Sequence, residues 1–442
     1  MAETEVISTC LVGAAAAASE TSNTVARVHL TPWDLQFLHI GPIQKGLLFR
    51  IPSSAAPGFI PRLKTSLSSA LAFYPPLAGR FAAEPNPVDG TTSLFVDCNN
   101  AGVEFVEAKA AGVTVAAVLD PSNNNVPGIV RSFFTLNGIR NVHGISKPLM
   151  GVQVTELHDG YFIGCTLNHT LADGTSFWNF FRSWSELSRG LPHLSTPPVH
   201  HRWFPDNFPR PVPIPGEISF PGNLPPSLLP ERVFHLSKES IAKLKEKANS
   251  EMGMPQNSIS SLQAYTAHVW RSLTRARRLD LDEDVHVIMG VGTRARVPLP
   301  EGYWGNGAYM VKVTAKAGEV LNRGLGWTAW QLKEAVGKQS SEEVEKHYRN
   351  WVRSSDLFGE GELLSANALL MSSSPRFDVY GTDFGWGEAV AVRSGGANKP
   401  DGKVTLYGGQ EQGSVDIEMC IDGRTLEGLV KDPDFLEYIR IQ

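Results

Sequence analysis

The stretch "CTLNHTLADG", residues 165–174, places His169 four positions before Asp173. A neutral imidazole with one nitrogen free is a general base near neutral pH, and a carboxylate one turn later can orient that ring or hold the backbone around it. Two chemistries could use such a base. In a triad, His169 would activate a serine or cysteine while Asp173 oriented the ring. In direct transfer, His169 would deprotonate a substrate hydroxyl or amine with no covalent intermediate. The chain has no GxSxG elbow and no CGxC-type cysteine site, which favours direct transfer. Cys165 is the one thiol near the motif; by period-two counting it shares the face of His169, and it is expected to be packed and inert. A metal would need a third ligand, and none is nearby in sequence, so no metal is expected. His169 and Asp173 are therefore the candidate catalytic pair. Asp173, just behind a turn, is expected to act mainly by pairing with an arginine; "VGTRARVPLP" offers Arg294 and Arg296.

A second stretch, "DFGWG", runs from Asp383 to Gly387. A kinase assignment fails because no glycine-rich loop, VAIK-like lysine or HRD stretch accompanies it. Two glycines around a tryptophan read as a tight turn that Asp383 pins.

The elements around His169 are legible. "YFIGCTL" before it is an apolar strand, and residues 175–189 after it form an aromatic helix. Other helices are expected at "PRLKTSLSSALAFYP", "SKESIAKLKEKANS", "SSLQAYTAHVWRSLTRAR" and, as one run, "LGWTAWQLKEAVGKQSSEEVEKHYRNWVRS". Strands are expected at "GLLFRIP", "SLFVDC", "MGVQVTEL", "VHVIMGVGT", "AYMVKVT", "AVAVRSG", "KVTLYGG" and "VDIEMCID". Strands and helices do not strictly alternate, which points to mixed sheets rather than paired Rossmann units. Residues 191–232 hold a large share of the 30 prolines. Interleaved Trp203, Phe204, Phe208, Ile214 and Phe220 mark this segment as an ordered crossover rather than a disordered linker.

The 442 residues exceed one ordinary core and predict two domains. The chain is 42% hydrophobic and 19% charged, with a net charge of −5 and no basic run, so nucleic acid is not an expected partner. Four scattered cysteines fit a reduced cytosolic protein. "CLVGAAAAASE" lacks a basic leader and is read as a mobile or strand-edge lead-in, not a signal peptide. No run approaches the ~20 apolar residues of a membrane span.

The two motifs, in this order and at this distance, resemble the plant BAHD acyltransferases, whose pattern is HxxxDG mid-chain and DFGWG near the end. Here these are "HTLADG" and "DFGWG". "LTPWDLQFL" (30–38), "LKTSLSSALAFYPPLAGRF" (63–81), "SSLQAYTAHVWRSLTRAR" (260–277) and "LPEGYWGNGA" (299–308) extend the likeness nearly end to end. The resemblance implies an α/β fold with mixed sheets: two similar chloramphenicol-acetyltransferase-like domains, 1–190 and 233–442, joined by the crossover 191–232. An active-site channel runs between them with His169 at its centre.

The resemblance further implies transfer of an acyl group from coenzyme A to a hydroxyl or amine, with acyl-CoA as co-substrate and no permanently bound cofactor. It makes Asp383, Gly385, Trp386, Gly387 and Arg294 structural. Trp33, Ser372, Ser374 and Tyr303 become substrate-binding candidates, and Ser258 and Ser261 coenzyme-binding ones. The expected enzyme is a cytoplasmic monomer. The chain departs from many relatives in having Asn168 before the histidine, which does not carry the base. It also has Ser374 where several relatives have tryptophan, which enlarges the pocket and removes an indole donor. Ser372 keeps a hydroxyl that could serve an oxyanion. "YWGNG" lacks the cysteine that follows GN in flavonoid malonyltransferase relatives. Two rival readings remain: the same fold catalysing coenzyme-A-independent elimination, or an idle relative that only binds a metabolite.

Overall fold

The computed structural model describes residues 3–16, 25–50, 58–119, 126–216, 218–255, 257–354 and 367–441. Two large mixed sheets organise them. The first runs in the order Glu5–Val12, Val103–Ala110, Met150–Leu157, Gly160–Leu167, Ile43–Arg50, Ala391–Ser394. The second runs Ala308–Lys316, Asp284–Gly292, Ala368–Ser372, Lys403–Gly408, Val415–Cys420, Glu231–Leu236, Arg440–Ile441. A smaller sheet of Arg27–His29, Thr91–Asp97 and Arg80–Asn86 sits beside the first, and Ile214–Pro215 of the crossover pairs onto it.

The central strands of the first sheet, Met150–Leu157 and Gly160–Leu167, are buried on both faces, whereas its edge strand Glu5–Val12 is largely exposed. Along Gly160–Leu167, Ile163, Cys165 and Leu167 enter one core with Leu63, Leu67, Phe177 and Phe181 of the flanking helices. Phe162, on the opposite face, packs with Phe133, Phe134 and Leu48. This alternation is the period-two geometry of a strand. The second sheet has its own core, built with helices Lys238–Glu251 and Ser261–Arg277.

The two halves exchange elements. Strand Ala391–Ser394 comes from the C-terminal half, yet it pairs antiparallel with Ile43–Arg50 in the first sheet. The helical run expected over 325–354 is two helices, Gly324–Gly337 and Ser341–Ser354. Ser340 breaks it: its hydroxyl accepts from the Glu343 N–H at 3.3 Å, the bond of an N-cap. Leu325, Ala329 and Leu332 of the first helix enter the second core, whereas Val344, Tyr348 and Trp351 of the second enter the first. Both features carry the C-terminal half across the boundary placed at 232.

The crossover is ordered by its apolar side chains. Trp203 stacks on Trp33 at 5.5 Å, and Phe204, Phe208 and Ile214 are buried. Phe220, expected among these anchors, is 55% exposed and is not one. The N-terminal lead-in forms the edge strand Glu5–Val12; the alanine run from 17 onward lies outside the described residues. Among the described residues no helix is long and apolar enough to cross a membrane.

Candidate active site

One residue, Asn168, separates His169 from the end of strand Gly160–Leu167, and His169 sits in a short loop that ends where helix Gly174–Ser188 begins. Its main chain is gripped from two sides. The His169 N–H donates to Asn141 Oδ1 at 2.9 Å, and its carbonyl accepts from Asn306 Nδ2 at 2.8 Å. The ring stacks on Phe37, centroid to centroid at 4.0 Å. It is only partly buried and lines a cavity together with Lys45, Phe177, Trp178, Ser372 and Lys403. Burial in this wall lowers the imidazole pKa to about 4, so the ring is neutral at pH 7 and holds a lone pair for a proton.

Asp173 caps the following helix by accepting from the Ser176 N–H at 3.0 Å. The same carboxylate takes a two-pronged ion pair from Arg294, with Nη2 to Oδ1 at 2.9 Å, and accepts from the Gly307 N–H at 3.0 Å. Burial pushes its pKa up, but the Arg294 guanidinium and the N–H donors outweigh burial, and the net shift is downward. Both oxygens are thus committed to the loop, and among the described residues no side chain orients His169 Nδ1. Of the two arginines in "VGTRARVPLP", the partner is Arg294. Arg296 donates instead to the carbonyls of Gln339 and Gly292.

The "YWGNG" segment braces the same loop. Trp304 Nε1 donates to the Ser176 carbonyl at 2.9 Å, and the Gly305 N–H donates to Ser176 Oγ at 3.0 Å. Beneath it lies a fully buried ion pair, Arg202 Nε to Asp34 Oδ2 at 3.1 Å. Arg202 Nη2 donates to the Leu171 carbonyl at 2.8 Å, and Asn306 Nδ2 donates to Asp34 Oδ1 at 2.9 Å. One buried network therefore joins "LTPWDLQFL", the crossover, the histidine loop and "YWGNG".

The other sequence-derived candidates divide. Ser372 lines the cavity; its hydroxyl lies 3.4 Å from Thr405 Oγ1. Ser373, with φ of 65°, lines it too, whereas Ser374 accepts from the Arg376 N–H at 3.2 Å and closes a turn. Trp33 is wholly buried against Trp203 and Tyr348, and Tyr303 is buried with its hydroxyl on the Asn306 carbonyl; neither lines the cavity. Ser258 and Ser261 lie at the start of helix Ser261–Arg277, which Ser260 caps, and they are not part of the cavity wall. Cys165 is fully buried in the core, where burial pushes its thiol pKa up, far from thiolate formation at neutral pH.

In "DFGWG", Asp383 Oδ1 accepts from the N–H groups of Gly385, Trp386 and Gly387 at 2.7, 3.0 and 2.9 Å. Gly385 and Gly387 adopt φ of 100° and 90°, where a side chain would be strained. Trp386 stacks on Tyr161 at 4.8 Å, and Phe384 is buried against Trp184. The loop fastens the C-terminal half to the first core and contributes no group to the cavity.

Sequence reasoning missed Asn141, Asn306 and the Asp34–Arg202 pair, and it missed Lys45, Lys399 and Lys403 in the cavity wall. Lys45 could have been noticed, because a lysine inside the apolar strand "IQKGLLFR" interrupts a buried face.

The profile of the Transferase family matches residues 4–436. The chain belongs to this family, the BAHD acyltransferases. It is 39% identical to an uncharacterised acetyltransferase of Arabidopsis thaliana, over 93% of this chain and 94% of that one. It is 32% identical to the BAHD acyltransferase DCR of the same plant, over 92% and 88% of the two chains. Its fold is that of TRI101 from F. sporotrichioides, solved with coenzyme A and T-2: the TM-score is 0.75 at 16% identity, covering 94% of this chain and 99% of that one. The two-domain mixed α/β architecture and the assignment as an acyltransferase are those the sequence resemblance implied.

Proposed function

We propose that this BAHD acyltransferase moves an acyl group from coenzyme A to a hydroxyl or amine of a plant specialised metabolite, with both substrates bound together and His169 as general base. The carrying observation is a neutral imidazole in a cavity wall whose neighbouring carboxylate, Asp173, is fully engaged elsewhere. The one thiol near it, Cys165, faces the core and is not available as a nucleophile. His169 takes the proton from the acceptor O–H or N–H as that atom attacks the thioester carbonyl. The tetrahedral intermediate collapses, the C–S bond breaks, and the imidazolium returns the proton to the departing thiolate. The Ser372 hydroxyl is the candidate donor to the oxyanion. Acyl-CoA as the donor is supported by the coenzyme A complex of the structural neighbour.

The test is a screen of the pure protein against a panel of acyl-CoAs and then of alcohol and amine acceptors, read by product mass, with calorimetry of coenzyme A binding alongside. Acyl transfer with coenzyme binding is expected. Turnover of a metabolite by a protein that binds no coenzyme A would overturn the reading in favour of elimination chemistry.

A further inference from the structure

We infer that the cavity beside His169 contains a subsite for a carboxylate, carried on the acyl chain or on the acceptor and held by Lys403 and Lys45. The inference rests on the acyl-transfer reading for what occupies the cavity, and on the lysines themselves for the charge.

Lys45, Lys399 and Lys403 all line this cavity of about 110 Å³, which has room for a small organic group. They come from three places: strand Ile43–Arg50, the loop after Ala391–Ser394, and the first residue of Lys403–Gly408. The carboxylates among them are Glu231 and Glu418, and both are already partnered. Lys399 bridges the two, with Glu231 at 2.6 Å, and Arg131 holds Glu231 from its other side at 2.6 Å. Glu418 also accepts from the Ser394 N–H at 3.0 Å.

Among the described residues, neither Lys45 nor Lys403 has a carboxylate at ion-pair distance, the nearby Glu418 being held by Lys399. Lys45 Nζ donates to Ser394 Oγ and Tyr407 Oη, each at 2.8 Å, and both acceptors are neutral. The Lys403 ammonium has no hydrogen-bond partner among the described residues. Burial lowers the pKa of Lys45 to about 7 and, with help from the Lys399 charge, that of Lys403 to about 8; Glu418 acts on both in the opposite direction and does not offset burial. Such an arrangement is costly for the fold alone, and a bound anion would relieve it.

The geometry also couples this subsite to the base. After burial, the Lys403 charge is one of the influences that depress the basicity of His169. An anion on Lys403 cancels that influence, so a substrate bearing a carboxylate would strengthen the base that acts on it.

The experiment is calorimetry on wild type and Lys403→Gln, with three probes. The first is free coenzyme A, whose affinity is expected to be equal in the two proteins. The second is the pair succinyl-CoA and butyryl-CoA, which differ in a terminal carboxylate. The third, on enzyme saturated with coenzyme A, is 3-hydroxybenzoate against 3-hydroxybenzamide. In wild type, the charged member of one pair should bind at least about tenfold more tightly, the scale of a charge-assisted hydrogen bond, and Lys403→Gln should abolish that preference. The pair that responds identifies which substrate carries the carboxylate. Equal or tighter binding of the neutral member in both pairs would overturn the inference, as would a loss of free coenzyme A affinity in Lys403→Gln, which would make Lys403 a phosphate contact. Failure of wild type to bind coenzyme A at all would instead refute the acyl-transfer reading, which separates the two failures.

Discussion

Replacing Asp173 by asparagine removes one negative charge from a carboxylate that accepts from Arg294, Ser176 and Gly307. Asparagine has one oxygen. Whichever way it turns, its NH2 must face an N–H donor that the carboxylate satisfied. Removing one partner of a buried ion pair costs about 3–5 kcal/mol. The Asp173 side chain is 9% exposed and that of Arg294 28%, so water recovers part of the arginine's loss and the low end, about 3 kcal/mol, applies. For a cooperative unit of 150–250 residues this lowers Tm by roughly 6–12 °C. Activity should fall with it, because the helix start and the His169 loop lose their common anchor. The assay is thermal unfolding together with kcat measured well below the variant's Tm. Arg294→Gln should produce the same pair of losses, and the double variant should be little worse than either single one. An unchanged Tm with complete loss of kcat in Asp173→Asn would refute the reasoning and place the carboxylate in the chemistry.

Burial lowers the pKa of His169, His200 and His268 to about 4 each, against 6.5 when unperturbed. The unfolded chain therefore binds more protons between these values, so the stability they contribute is complete above pH 6.5 and is lost as pH falls toward 4. The urea midpoint should be lower at pH 5 than at pH 7; an equal or higher midpoint at pH 5 would contradict this. Truncating Trp386 to alanine should cost about 3 kcal/mol through lost stacking, while the kcat of the surviving folded enzyme stays near wild type; a large fall in kcat at full stability would put "DFGWG" in the active site. Intact-protein mass after incubation with acyl-CoA alone should show no added acyl group. An adduct that disappears in Cys165→Ser would establish a covalent route and replace the direct one.

The parts of the site legible in the sequence are those that depend on local pattern. The apolar run "YFIGCTL" and the turn after it place His169 at the end of a buried strand, and the position of Asp173 just behind that turn pointed to its arginine pairing; its helix-capping role was seen only in the structure. Choosing Arg294 over Arg296 needed the fold: the segment is a turn after strand Asp284–Gly292, not an extended stretch, and in that turn Arg294 reaches Asp173 while Arg296 reaches the carbonyls of Gln339 and Gly292. The split at Ser340 was hidden because helical periodicity continues on both sides while the buried face changes core. Trp33 was misjudged because a tryptophan in a motif-bearing segment can serve packing as well as binding. The lysine cluster was out of reach for a different reason. It exists because strand Ala391–Ser394 crosses to the first sheet, a pairing across more than 300 residues that no local window contains.

The central claim is that His169 is the base. In His169→Ala, with the acyl-CoA and acceptor found by the screen, kcat should fall by ~10²–10⁴ while coenzyme A affinity and Tm stay near wild type. Retention of more than about a tenth of wild-type kcat by a folded, coenzyme-binding variant would contradict it.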